Sequence, residues 1–91
     1  MRFIKDAAIN ENGLVFNPFT GDSFIVNDMG KTIIDYLKKN SSVEEIRDKL
    51  FEQYDVELRV LEHDIYDFLE KLKTYHLLEQ ENDKHKGFEI V

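Results

Sequence analysis

The sequence predicts one small α+β domain in which a three-stranded antiparallel sheet is followed by three helices. Three observations predict it. The chain has 91 residues, enough for a single domain that buries only about two-thirds of the surface its unfolded form exposes. From Phe3 to Val26, short apolar stretches alternate with turn residues. From Asn27 onward the apolar spacing becomes helical.

The strands come first. Asn12-Gly13 is a hairpin signal, because both residues tolerate the positive φ of a type I′ turn. It joins a strand near Asp6–Asn10 to one near Leu14–Asn17. A second turn follows at Asn17-Pro18-Phe19-Thr20-Gly21, where Pro18 fixes φ and Gly21 permits a left-handed step. The third strand, Asp22–Val26, then runs into Asn27, completing a meander.

Asn27 or Asp28 caps the first helix, whose apolar positions are Met29, Ile33, Ile34 and Leu37. It ends in Lys38-Lys39-Asn40, with cations suited to the negative helix end and Asn as a left-handed stop. Ser42-Val43-Glu44-Glu45 is a capping box that opens the second helix, which carries Val43, Ile46, Leu50, Phe51 and Tyr54 on one face. Asp55 to Leu58 connects to a third helix, about Arg59 to Tyr75, with a stripe of Leu61, Ile65, Phe68, Leu69 and Leu72. Leu77-Leu78 closes the pattern. The expected division is a domain over 1–78 and a polar tail over 79–91, frayed in isolation, whose last residues Phe88–Val91 are apolar enough to join a sheet or a partner. The sheet and helices are expected to share one core.

Composition narrows the function. Hydrophobic residues make up 42% and charged residues 34%, a globular balance. The absence of cysteine removes disulfides, thiolate metal sites and a Cys nucleophile. Apolar runs such as Ala7-Ala8-Ile9 and Phe24-Ile25-Val26 are too short to span a membrane, and Met1 to Asp6 lacks a signal-peptide core, so a cytoplasmic protein is expected. His63, His76 and His85 show no ligand-like pairing; His63 and Asp67 lie one helical turn apart, which is the spacing of a solvated surface pair. Glycines at 13, 21, 30 and 87 form no phosphate loop. No metal, no cofactor and no catalytic activity are expected.

Three helices and a small sheet are also the parts of a winged helix-turn-helix, so DNA binding needs a test. The chain holds 12 Lys and Arg against 19 Asp and Glu, a net charge of −7, and such a chain repels phosphate. The third helix carries Arg59, Lys71 and Lys73 against Glu62, Asp64, Asp67 and Glu70. No face gathers the several cations that phosphate neutralisation needs. Nucleic acid is excluded as the expected partner.

One strand stands out. Along Asp22-Ser23-Phe24-Ile25-Val26, Phe24 and Val26 face one way and Ser23 and Ile25 the other. As the last strand of a meander it is an edge, yet it shows neither Lys nor Pro to blunt that edge. Either the tail or a second copy covers it, or an extended peptide adds to it as a further strand.

Gly21-Asp22-Ser23-Phe24-Ile25-Val26-Asn27-Asp28-Met29-Gly30 resembles the strand-to-helix signature of the PqqD-like family. Ser42-Val43-Glu44-Glu45-Ile46, with Leu50 and Tyr54-Asp55-Val56, is similar to that family's second helix. Asp64-Ile65-Tyr66-Asp67-Phe68-Leu69, then Leu72 and Leu77-Leu78, resembles its third helix and exit. The resemblance covers about Phe3 to Leu78.

The resemblance implies a winged-helix-like domain that binds peptide without catalysis. Such a domain holds the leader segment of a ribosomally made precursor peptide as an added strand and presents it to a modifying enzyme, commonly a radical-SAM enzyme. Carried over by position, Asp22, Ser23, Phe24, Ile25 and Val26 form the docking strand, and Leu61, Ile65, Phe68 and Leu69 lie on or behind the groove wall. Three residues depart from the pattern. Ser23 stands where the family often has an aromatic residue, Ile34 replaces a frequent Trp, and His76 replaces the Gly that usually ends the third helix. The resemblance does not place this chain in the coenzyme pathway of the founding member. Two alternatives stay open: a homodimeric scaffold pairing through the same edge, and an acidic winged-helix regulator acting through protein contacts. Monomer and homodimer both remain compatible with the sequence.

Overall fold

In the computed structural model, which describes residues 2–79, the chain runs β1 (Arg2–Phe3), β2 (Ala8–Ile9), β3 (Leu14–Phe16), β4 (Ser23–Ile25), α1 (Asp28–Lys38), α2 (Val43–Gln53), α3 (Leu58–Thr74) and β5 (Leu78–Glu79). The strands β2, β3 and β4 form the expected antiparallel meander, in that order. With three helices packed on it, the fold class is α+β.

The first hairpin is built differently from the type I′ turn that Asn12-Gly13 suggests. Only Gly13 takes a positive φ, +86°, while Asn12 does not. The Gly13 N–H donates to the Asn10 carbonyl and the Asn10 N–H donates to the Leu14 carbonyl, both at 3.0 Å. This is the longer hairpin in which a turn is followed by one left-handed glycine. Asn10 selects it, because its side-chain oxygen accepts from the N–H groups of Asn12 and Leu14. A Cβ on Gly13 would lie 2.4 Å from the Val26 carbonyl oxygen, so the close approach of the hairpin to β4 requires glycine there.

The helices start and stop where their end chemistry dictates. Asn27 caps α1 by accepting from the Gly30 N–H at 2.8 Å, and Asn40 ends it with φ of 63°. The capping box of α2 is complete, with Glu45 N–H donating to Ser42 Oγ and Ser42 N–H donating to Glu45 Oε1. His76 takes φ of 61°, so the residue in the usual glycine position still adopts the left-handed step. The Leu77 N–H then returns to the Leu72 carbonyl at 2.8 Å.

Val15 and Val26 from the sheet meet Ile33, Ile34 and Leu37 of α1, Ile46 and Leu50 of α2, and Leu61, Ile65, Leu69 and Leu72 of α3 in one core. Burying each of these side chains stabilises the fold by about 1.5–3 kcal/mol. Phe51 departs from the expected stripe: it follows fully buried Leu50 by one residue, a 100° step around the helix, and is exposed. Arg47 joins α2 to α3 through Glu62 at 3.3 Å. Hydrogen bonding to Asp48, then its charge and that of Glu62, raise the Arg47 pKa.

A second, two-stranded sheet was not legible in the sequence. β1 pairs with β5, Arg2 opposite Glu79 and Phe3 opposite Leu78, and the Ile4 N–H donates to the Leu77 carbonyl at 2.9 Å. Glu79, assigned to the polar tail from sequence, is therefore part of a strand. The remainder of that tail, including Phe88–Val91 and His85, lies outside the described residues.

Candidate functional site

The exposed side of β4 is defined by the hydrogen-bond register. Leu14, Val15 and Phe16 stand opposite Ile25, Phe24 and Ser23. At the ends of this ladder, the Val26 N–H donates to the Gly13 carbonyl at 2.8 Å and the Asn17 N–H donates to the Asp22 carbonyl at 2.9 Å. Backbone groups alternate sides along an antiparallel strand. Phe24, Val26 and the Asp22 carbonyl therefore turn toward β3, the Asp22 N–H donating to Thr20 Oγ1 at 3.2 Å, and Ser23 and Ile25 turn N–H and C=O away from the sheet. Among the described residues no strand pairs with that side.

The side chains alternate as expected. Val26 is buried and Phe24 half-buried against the helices, whereas Ser23 is exposed and Ile25 is 69% exposed. Between β4 and the C-terminal half of α3 runs an open groove of about 490 Å³. Phe24, Val26, Phe68, Leu72 and Tyr75 give it an apolar lining, and Lys71 and Thr74 add polar groups. The rings of Phe24 and Tyr75 stack with centroids 4.7 Å apart and planes 29° apart. Phe68 packs onto the first turn of α1, where a Cβ on Gly30 would come within 3.0 Å of its ring. The missing side chain at Gly30 thus lets Phe68 seat between α1 and the groove.

Of the residues singled out from sequence, Phe24, Ile25, Val26 and Phe68 come together at this groove, and Asp22 and Ser23 do not line it. Leu61, Ile65 and Leu69 do not line it; at 0%, 1% and 3% exposure they are core residues behind it. The lining residues that sequence reasoning missed are Asn27, Glu70, Lys71, Leu72, Thr74 and Tyr75. A signal existed: Lys71, Leu72 and Tyr75 lie three, four and seven residues beyond Phe68, hence on its face of the helix.

His63 and Asp67 form the expected exposed surface pair at 3.4 Å. Among the described residues no group of three potential metal ligands occurs, and no helix is long and apolar enough to cross a membrane.

A small three-helix domain in which, among the described residues, the outer edge of β4 is unpaired beside an apolar groove is the architecture anticipated for PqqD-like domains. The chain belongs to the family described as coenzyme PQQ synthesis protein D (PqqD), whose model matches residues 13–78. Its fold is similar to that of TbiB1, solved in complex with the TbiA(beta) leader peptide, with a TM-score of 0.78 and 28% sequence identity over 87% of this chain and 95% of that one. No curated protein sequence matches the chain.

Proposed function

We propose that this protein is a non-catalytic peptide-binding adaptor. It captures the leader segment of a ribosomally made precursor peptide as a fourth strand along β4 and presents the remainder to a modifying enzyme. A radical-SAM enzyme is the partner class that the family resemblance suggests. The observation that carries the reading is the outward row of N–H and C=O groups on Ser23 and Ile25, set beside the groove formed by Phe24, Phe68 and Tyr75. TbiB1, with a similar fold, was solved with a leader peptide, which supports the same use of this fold here.

The mechanism follows from strand geometry. A guest backbone bonds to Ser23 and Ile25, which fixes its register, while alternate guest side chains enter the groove and the others face away. Backbone bonds supply affinity that is blind to sequence; the groove supplies selectivity. Micromolar capture corresponds to about −8 kcal/mol, within reach of a few such bonds plus two or three buried apolar side chains.

The test begins with a display selection of random short peptides on the wild-type protein, followed by amide hydrogen exchange with the tightest peptide. Binding should protect the Ser23 and Ile25 amides, while those of Phe24 and Val26, already directed at β3, change little. Peptides that bind without slowing exchange at Ser23 and Ile25 would rule out strand addition. Light scattering on the same sample separates a monomer with a free edge from a dimer that uses β4 for self-pairing.

A further inference from the structure

Asn17 is a polar residue with 0% exposure, and every polar group it owns is occupied. Its N–H donates to the Asp22 carbonyl at 2.9 Å, and its carbonyl accepts from the Gly21 N–H at 2.8 Å. Its side-chain oxygen accepts from the Phe19 N–H at 2.9 Å. These three bonds are local and shape the turn between β3 and β4. The fourth is long-range: Nδ2 donates to the Tyr75 carbonyl at 3.0 Å, across 58 residues of sequence. The orientation of the amide is forced, because the Phe19 N–H can only donate and the Tyr75 carbonyl can only accept.

Tyr75 is the residue at which α3 ends, so its carbonyl is among those a helix leaves without an internal partner. The bond from Asn17 satisfies it and ties the end of α3 to the sheet. The side chain of this same residue stacks on Phe24, and both rings line the groove. An apolar residue at 17 would fill the space yet leave both Phe19 N–H and Tyr75 C=O without their partner at a part-buried site.

We infer that Asn17 is a positioning residue for the groove. It anchors the Tyr75 backbone so that the Tyr75–Phe24 stack stands in place before a guest strand arrives. The inference rests on the strand-addition reading, and its effect is preorganisation: a wall already ordered leaves less entropy to be lost on binding. Asn17 itself touches no guest.

The test uses Asn17→Asp, which keeps the shape and the acceptor for Phe19 and removes the donor to Tyr75. In the peptide-free protein, the aromatic NMR shifts of Tyr75 and Phe24 should move toward those of unstacked rings. The tightest peptide from the display selection should bind about tenfold more weakly, the value of one hydrogen bond. Ile46→Val serves as a control, since it removes a core methylene from α2 and should lower the melting temperature without altering ring shifts or affinity. Wild-type affinity with unmoved ring shifts in Asn17→Asp would overturn the inference. So would an equal loss of affinity in Ile46→Val at matched melting temperature. If Asn17→Asp does not fold, Asn17→Ser is measured instead, because its hydroxyl can accept from Phe19 but is too short to reach Tyr75. If no selected peptide depends on the β4 edge, strand addition fails on its own, and the peptide-free ring shifts still decide whether Asn17 holds the stack.

Discussion

Ile25→Pro separates strand addition from every mode of binding that uses only side chains. The Ile25 N–H points away from β3, so proline deletes no hydrogen bond of the free protein. Its side chain is 69% exposed, so little packing is lost. Proline also favours an extended residue before it, and Phe24 is already in a strand. The free protein should therefore lose no more than about 1 kcal/mol. The complex loses much more. One backbone bond goes, worth about 1 kcal/mol net, and a guest carbonyl is left facing the proline ring without a donor, for a further ~1–3 kcal/mol. A total of about 3 kcal/mol weakens binding roughly 150-fold, taking a micromolar complex toward the millimolar range. Titration of a fluorescent selected peptide measures the affinity, and circular dichroism checks that the helices persist. Ile25→Ala, which trims the side chain but keeps the N–H, is the reference. Equal affinity of the proline and alanine variants would refute the reasoning, because the amide would then carry none of the binding.

Two further predictions concern the groove wall and the first hairpin. Phe68→Ala should cut peptide affinity while costing less stability than Leu69→Ala, which opens a cavity in the core and should cost about 2–5 kcal/mol in urea unfolding; a reversed order would mean that Phe68 is a core residue and not a groove wall. Gly13→Ala should lower stability by about 3 kcal/mol or more, because it combines a φ of +86° with a Cβ 2.4 Å from the Val26 oxygen, and an unchanged thermal melt would contradict that geometry.

The helices were legible because their signals are local. Asn27, the Ser42–Glu45 box and Asn40 act on backbone groups within four residues, so reading the chain in order suffices to place them. The outermost place of β4 in its sheet was legible for a similar reason: two turns in succession leave the third strand of a meander at one edge. The β1–β5 pair was not, since two-residue strands carry no periodicity and their partners lie at opposite ends of the described chain. The form of the first hairpin depended on the Asn10 side chain, and the Asn-Gly pair drew attention away from it. At the groove, the buried stripe of α3 pointed to Leu61, Ile65 and Leu69, which are strongly apolar because they are interior. The working wall follows the adjacent face, where half-buried Phe68 and exposed Tyr75 flank buried Leu72, and the two wall residues carry a weaker hydrophobic mark than the interior stripe. Asn17 reads as a turn residue in sequence, and nothing local foretells its bond to Tyr75.

The pairing of Arg2 with Glu79 and Phe3 with Leu78 brings the two ends of the described residues to neighbouring points. A domain laced shut in this way can be spliced into a loop of a larger host without forcing the host's two attachment points apart. Neither lacing strand belongs to the sheet that carries β4, so such a graft would leave the candidate docking edge with its own scaffold intact.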